Sequence, residues 1–160
     1  MLNWWGRNWW SWLTISAVVI VLDQLTKRWV VQAFDNREVL PVMPYFNLTL
    51  AYNPGAAFSF LSDAGGWQRV FFTAIALIAS AVIIHLLRKH PRQILLCAAL
   101  SLILGGALGN LWDRLVIGKV VDFLDFYVNG YHWPAFNVAD SAITAGAALL
   151  ILDGFKKQPD

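Results

Sequence analysis

The sequence predicts an all-α membrane protein, with four transmembrane helices and a small β-element at one membrane face. Three observations carry that expectation. Of 160 residues, 58% are apolar and only 14% charged, with a mean hydropathy of +0.54; a soluble domain carries about a quarter charged residues. The apolar residues gather into four stretches close to the ~20 that a helix needs to cross the hydrocarbon core. Between the first two lies a long loop, in which Phe46-Asn47-Leu48-Thr49-Leu50-Ala51-Tyr52 alternates like a half-buried strand.

The first span covers about residues 12–31, with Asp23, Gln24, Lys27 and Arg28 on its later part. Arg7 precedes an apolar run, as in a signal peptide, but Asp23-Gln24 follows where a small-x-small cleavage site would stand, so the span reads as uncleaved. Trp4, Trp5, Trp9, Trp10 and Trp12 read as an interfacial aromatic belt. The second and third spans, about 70–87 and 94–112, are joined by His90-Pro91-Arg92-Gln93. Pro91 stops the helix there and makes the two spans antiparallel neighbours. The fourth covers about 136–152, and residues 119–128 offer a second strand. No repeat or linker divides the chain, which reads as one integral membrane domain over 1–160.

Other classes fall away. A net charge of +2, without a basic patch interleaved with aromatics, does not point to nucleic acid. Cys97, the single cysteine, permits no internal disulfide and reads as a small core hydrophobe. His85, His90 and His132 lack ligand spacing, so no metal or other cofactor is expected. Orientation is not settled by charge. Arg7, Arg88, Lys89, Arg92, Lys156 and Lys157 fall on the side of the termini, and Lys27, Arg28, Arg37, Arg69, Arg114 and Lys119 on the other. The dense 88–93 turn favours termini inside.

Chemistry concentrates between the third and fourth spans. Asp122 lies in the apolar run Val120-Val121-Asp122-Phe123-Leu124, and Asp140 heads the fourth span. A carboxylate at the bilayer centre costs ~2.5–3.5 kcal/mol on insertion scales, so acids at such depths point to function. Asn110 and Arg114 are four apart and Asn137 and Asp140 three apart, so each pair shares a helix side and reaches the same membrane face. Two close carboxyls tend to hold one proton between them and can activate water for peptide hydrolysis.

Each residue has a plainer reading taken alone. Asp140 also suits a helix N-terminus through the macrodipole, and Asp122 suits a solvated turn, with Asp125 the more solvated of the two. Arg114 reads as an interfacial residue paired with Asp113, and Asn53-Pro54-Gly55 as a turn. Gly105, Gly106 and Gly109 read as close helix packing. Asp23 is harder to dismiss, with apolar residues on both sides. Convergence on one face favours a site.

Five blocks then identify a family in order along the chain: Leu22-Asp23-Gln24-Leu25-Thr26-Lys27, Tyr52-Asn53-Pro54-Gly55-Ala56-Ala57-Phe58-Ser59, Gly105 to Arg114 (GGALGNLWDR), Val120-Val121-Asp122-Phe123, and Phe136-Asn137-Val138-Ala139-Asp140-Ser141. The chain resembles the type II signal peptidases, which process lipoproteins in the bacterial cytoplasmic membrane. The resemblance implies a four-span aspartic endopeptidase with cytoplasmic termini and a periplasmic site. It implies cleavage of diacylglyceryl-modified prolipoproteins just before the lipidated cysteine. It makes Asp122 and Asp140 the catalytic pair, with Asp23, Asn53, Asn110, Arg114 and Asn137 as supporting residues. The expected partners are that substrate and membrane lipid, and the chain is expected to act as a monomer. Trp112 and Pro54 occupy variable slots of the pattern, and Trp112 is expected to narrow the space near Asn110. The strand at 46–52 is expected to cover the site or to pair with an extended peptide.

Two readings of another class compete. A small proton-coupled transporter would load protons on Asp23 and Asp140, but spans two and three offer only Ser80, His85 and Ser101 for a path. A non-catalytic lipid-binding scaffold would tolerate Asp122→Asn.

Overall fold

The computed structural model describes residues 8–55 and 67–155. Four helices are long and apolar enough to cross a membrane: α1 (Leu13–Ala33, preceded by a 3-10 turn Trp9–Trp12), α2 (Trp67–Lys89), α3 (Ile94–Val116) and α4 (Val138–Phe155). The first three run past the end of their apolar stretches, because the flanking polar residues, such as Arg69, Lys89, Asp113 and Arg114, continue the helix. The fourth starts later than its apolar run. Phe136 is instead held in a bridge to Leu124, and Asn137 precedes the first helical residue.

α3 is the hub, packing against α1, α2 and α4. Its glycines explain the close approach. A Cβ on Gly106 would collide with the Ala139 carbonyl oxygen and come 2.7 Å from Ile143 Cγ1, and one on Gly109 would lie 2.8 Å from Asp23 Oδ2. Large apolar side chains such as Leu25, Trp29, Ile78 and Ile151 point outward, as lipid-facing surfaces do. Trp12 departs from the expected aromatic belt. It is buried and donates from Nε1 to the Pro91 carbonyl at 3.0 Å, pinning the start of α1 to the α2–α3 turn. Trp4 and Trp5 lie outside the described residues.

At the far end of the bundle sits an antiparallel sheet ordered β1 (Val39–Met43), β2 (Phe46–Asn53), β3 (Val120–Val128) and β4 (Tyr131–His132). The expected strands at 46–52 and 119–128 are its centre. β2 pairs with β3 as far as Asn53, whereas β1 covers its other edge only over residues 46–49, with backbone bonds from 37 and 38 reaching Leu50. β3 alternates in function. Val121 and Phe123 pack with Val30 and Leu50 on the bundle, while Val120 and Asp122 face a cleft. The Phe136–Leu124 bridge, with both backbone bonds near 3 Å, brings the start of α4 beside Asp122. Asp125 is not the solvated acid that its position suggested. It is buried, accepts from Asn47 Nδ2 at 2.8 Å, and lies 2.9 Å from His132 Nδ1.

The α3–α4 contact yields a stability prediction. Gly106→Ala is expected to lower stability by ~1–3 kcal/mol through overpacking, read as a lower thermal unfolding midpoint in detergent. Gly154→Ala, at a glycine with nothing within 4 Å of the added Cβ among the described residues, is the neutral control.

Candidate active site

Asp122 projects from β3 and Asp140 from the first turn of α4, and both line one cleft of about 840 Å³. Asn53 at the end of β2, and Asn110 and Arg114 on α3, line it too. Its apolar walls are Phe72, Ala76 and Ala79 of α2 and Ile143, Ala145 and Ala148 of α4, with Ala107 between them. α2 and α4 flank α3 without a packed interface of their own, so the cleft runs down between them from the polar end.

Asn137 ties the two carboxyls together. Its Nδ2 donates to Asp122 Oδ1 at 2.7 Å, and its backbone N–H donates to Asp140 Oδ2 at 3.3 Å. Its own Oδ1 accepts from the Asp140 N–H at 2.9 Å. This reciprocal pair is a capping box on the start of α4, so the macrodipole reading of Asp140 and the site reading both hold. Asn53 Nδ2 donates to Asp122 Oδ2 at 3.1 Å, and Asn110 Nδ2 donates to Asp140 Oδ1 at 2.8 Å. Each carboxylate therefore receives neutral donors rather than a cation. Burial, and then the Asp140 charge, push the Asp122 carboxyl up from 3.8 to about 7, against the lowering effect of Asn53, Asn137 and Lys27.

Arg114 does not pair with Asp113. Its Nη2 donates to the Gly55 carbonyl at 3.0 Å, its guanidinium lies over the Phe72 ring, and its buried Nε has no partner among the described residues. The turn Asn53-Pro54-Gly55 is closed by Gly55 N–H donating to Asn53 Oδ1 at 2.9 Å, so Asn53 serves both turn and site. Ala56 to Ser59 of that block lie outside the described residues.

Asp23 is not in the cleft. It is fully buried behind it, where Oδ1 accepts from the Ala139 N–H at 2.9 Å and Oδ2 meets Lys27 Nζ at 2.8 Å. Lys27 also meets Asp113 Oδ2 at 2.8 Å and donates to Asn110 Oδ1 at 2.9 Å. Gln24 Nε2 and the Val121 N–H complete Asp113. Lys27, Gln24 and Asp113 are not among the candidate site residues that the sequence offers, although Gln24 and Lys27 stand on the later part of the first span and all three fall in family blocks. The available signal was the four-residue spacing of Asp23 and Lys27 on one helix. Because an ammonium only donates, Lys27 fixes the Asn110 amide with oxygen inward and nitrogen toward Asp140. Trp112 leaves the space near Asn110 open: it points to the other side of α3, into a second cleft.

The chain is similar to known proteins over most of its length. A family model described as signal peptidase (SPase) II matches residues 15–156. The lipoprotein signal peptidases of Cupriavidus pinatubonensis and Ralstonia nicotianae are each 58% identical over 91% of this chain, covering 83% and 84% of their own lengths. That of Burkholderia pseudomallei is 57% identical over 91% of this chain and 88% of its own. A bacterial membrane enzyme solved by the in meso method at 2.3 Å superposes with a TM-score of 0.82 at 33% identity, over 94% of this chain and 93% of that one.

Lys27→Met would leave two buried carboxylates facing each other without a cation. The expected loss is ~3–5 kcal/mol, read as thermal unfolding in detergent. Neutralising the acids as well, in Lys27→Met/Asp23→Asn/Asp113→Asn, is expected to recover part of it.

Proposed function

The chain belongs to the signal peptidase II family of aspartic peptidases, and we infer that Asp122 and Asp140 are its catalytic pair. The observation that carries this reading is Asn137, one side chain and one backbone N–H that bind a carboxylate oxygen of each aspartate at one cleft. The activity is removal of the signal peptide from diacylglyceryl-modified prolipoproteins, cut just before the lipidated cysteine, in the bacterial cytoplasmic membrane. The site faces the periplasm, both termini are cytoplasmic, and the chain acts as one monomeric domain.

The chemistry follows from unequal affinity for one proton. Near neutral pH the raised carboxyl of Asp122 keeps the pair close to singly protonated. The ionised member takes a proton from water as the oxygen attacks the scissile carbonyl carbon. The protonated member donates to the carbonyl oxygen, and when the tetrahedral intermediate collapses a proton passes to the leaving amine. Arg114, whose side chain lines the cleft, is placed to hold a peptide carbonyl, a positioning task. Asp23 supports the pair at one remove, through Lys27 and Asn110. The apolar walls between α2 and α4 suit a signal peptide and acyl chains that stay in the bilayer, with the scissile bond at the polar end. The transporter reading is not favoured, since the polar groups gather at one end and the family is a peptidase family.

In vitro cleavage of a diacylated prolipoprotein peptide, beside its unlipidated form, tests the reading. Asp122→Asn and Asp140→Asn are each expected to abolish cleavage with the fold intact, and activity retained by Asp140→Asn would refute the pair. Chelators are expected to leave the rate unchanged. The pair keeps its proton below the raised value and loses it above, so kcat/KM is expected to fall as pH rises through about 7. A rate flat to pH 9, well above that value, would oppose this assignment.

A further inference from the structure

A second cleft, of about 470 Å³, lies on the opposite side of the wall that carries the catalytic pair. The alternation of β3 places it there: Val120 and Asp122 face the first cleft, while Lys119 and Val121 face the second. α3 does the same, with Asn110 and Arg114 on one side and Trp112, Asp113 and Val116 on the other. Neither the peptidase chemistry nor the family match gives this hollow a role.

Its charges are unbalanced in a specific way. Among the described residues Asp113 is the one acid on its wall, and both Asp113 oxygens are already engaged by Lys27, Gln24 and the Val121 N–H. Lys27 is likewise satisfied by Asp23, Asp113 and Asn110. Arg28 and Lys119 line the same hollow, both exposed, and neither has a carboxylate within ion-pair distance among the described residues. Lys119 is steered by the Tyr52 ring, its Nζ 5.6 Å from the centroid. Beside this cationic mouth runs an exposed apolar strip of Val31, Trp112, Val116 and Ile117. The combination sits at the ends of α1 and α3, where the membrane surface meets the sheet.

We propose that this second cleft binds the phosphodiester headgroup of an anionic glycerophospholipid, with Arg28 and Lys119 on the phosphate and the acyl chains along the apolar strip. The free phosphate ion would satisfy the two cations but leave the strip unused. An ordinary zwitterionic lipid would satisfy the strip but bring a choline to a mouth that is already positive. An anionic lipid matches both halves.

The test uses the full chain purified in detergent with phosphatidylglycerol and phosphatidylcholine in equal amounts, and native mass spectrometry counts the lipid retained. Wild type is expected to retain phosphatidylglycerol selectively. R28Q/K119Q is expected to lose that selectivity on the order of tenfold or more, as two charge-assisted contacts disappear. R28K/K119R, which keeps both charges, is expected to retain it. R28Q/K119Q should still cleave a diacylated peptide in phosphatidylcholine at the wild-type rate, which shows the fold and keeps this proposal separate from the peptidase reading. Equal retention by wild type and R28Q/K119Q would overturn the proposal, as would equal retention of the two lipids. Displacement by inorganic phosphate as readily as by added phosphatidylglycerol would identify a free-anion site and overturn the lipid assignment.

Discussion

The structure depends on one buried ammonium. Lys27, 3% exposed, sits between the carboxylates of Asp23 and Asp113 and donates to Asn110. Burying three charges is expensive, and such a cluster is weak evidence of net stability. What it supplies is registration. Asp23 holds the N-terminal turn of α4 through Ala139, Asp113 holds the start of β3 through Val121, and Asn110 passes the constraint to Asp140. Four elements from distant parts of the chain are located against one another by groups that have no acceptable alternative partner in an apolar bundle.

The amides complete that design. In the proposed mechanism the carboxyl pair shares a proton, and a cation bonded to either member would hold it ionised and spoil the sharing. Asparagine donates to a carboxylate while adding no charge, and its second function anchors it elsewhere. Asn137 caps α4 with its oxygen, Asn53 closes a turn with its oxygen, and Asn110 turns its oxygen to Lys27. The positive charge is thus kept one residue away from Asp140, and Arg114 is spent on backbone carbonyls and an aromatic face.

The glycines of α3 show how packing and chemistry share the same residues. Gly109 leaves room for Asp23 Oδ2, and Gly106 lets the start of α4 approach closely enough for Asn137 to reach Asp122. With α3 as hub, α2 and α4 are held apart on either side of it, and the space between them is the cleft.

The residue pattern alone determined the four spans, the strand pair at 46–52 and 119–128, and the polar set Asp122, Asp140, Asn110, Arg114 and Asn137. Each is a local matter: apolar length, period-two alternation, or helical spacing of polar groups beside a helix end. The tertiary structure decided what local pattern cannot encode. Lys27 reads from sequence as one basic residue among several at the later end of the first span, and only the meeting of α1 with α3 shows it buried between two acids. Asp125 reads as solvated until Asn47 and His132 are brought against it, and Trp12 reads as part of an interfacial belt until Pro91 meets it. Arg114 and Asp113 are neighbours in sequence but lie on different sides of one helix, so their partners belong to other segments. The physical reason is common to all of them: a charge or polar group in a dry interior is assigned by whichever distant donor or acceptor can reach it, and reach is a property of the packed chain.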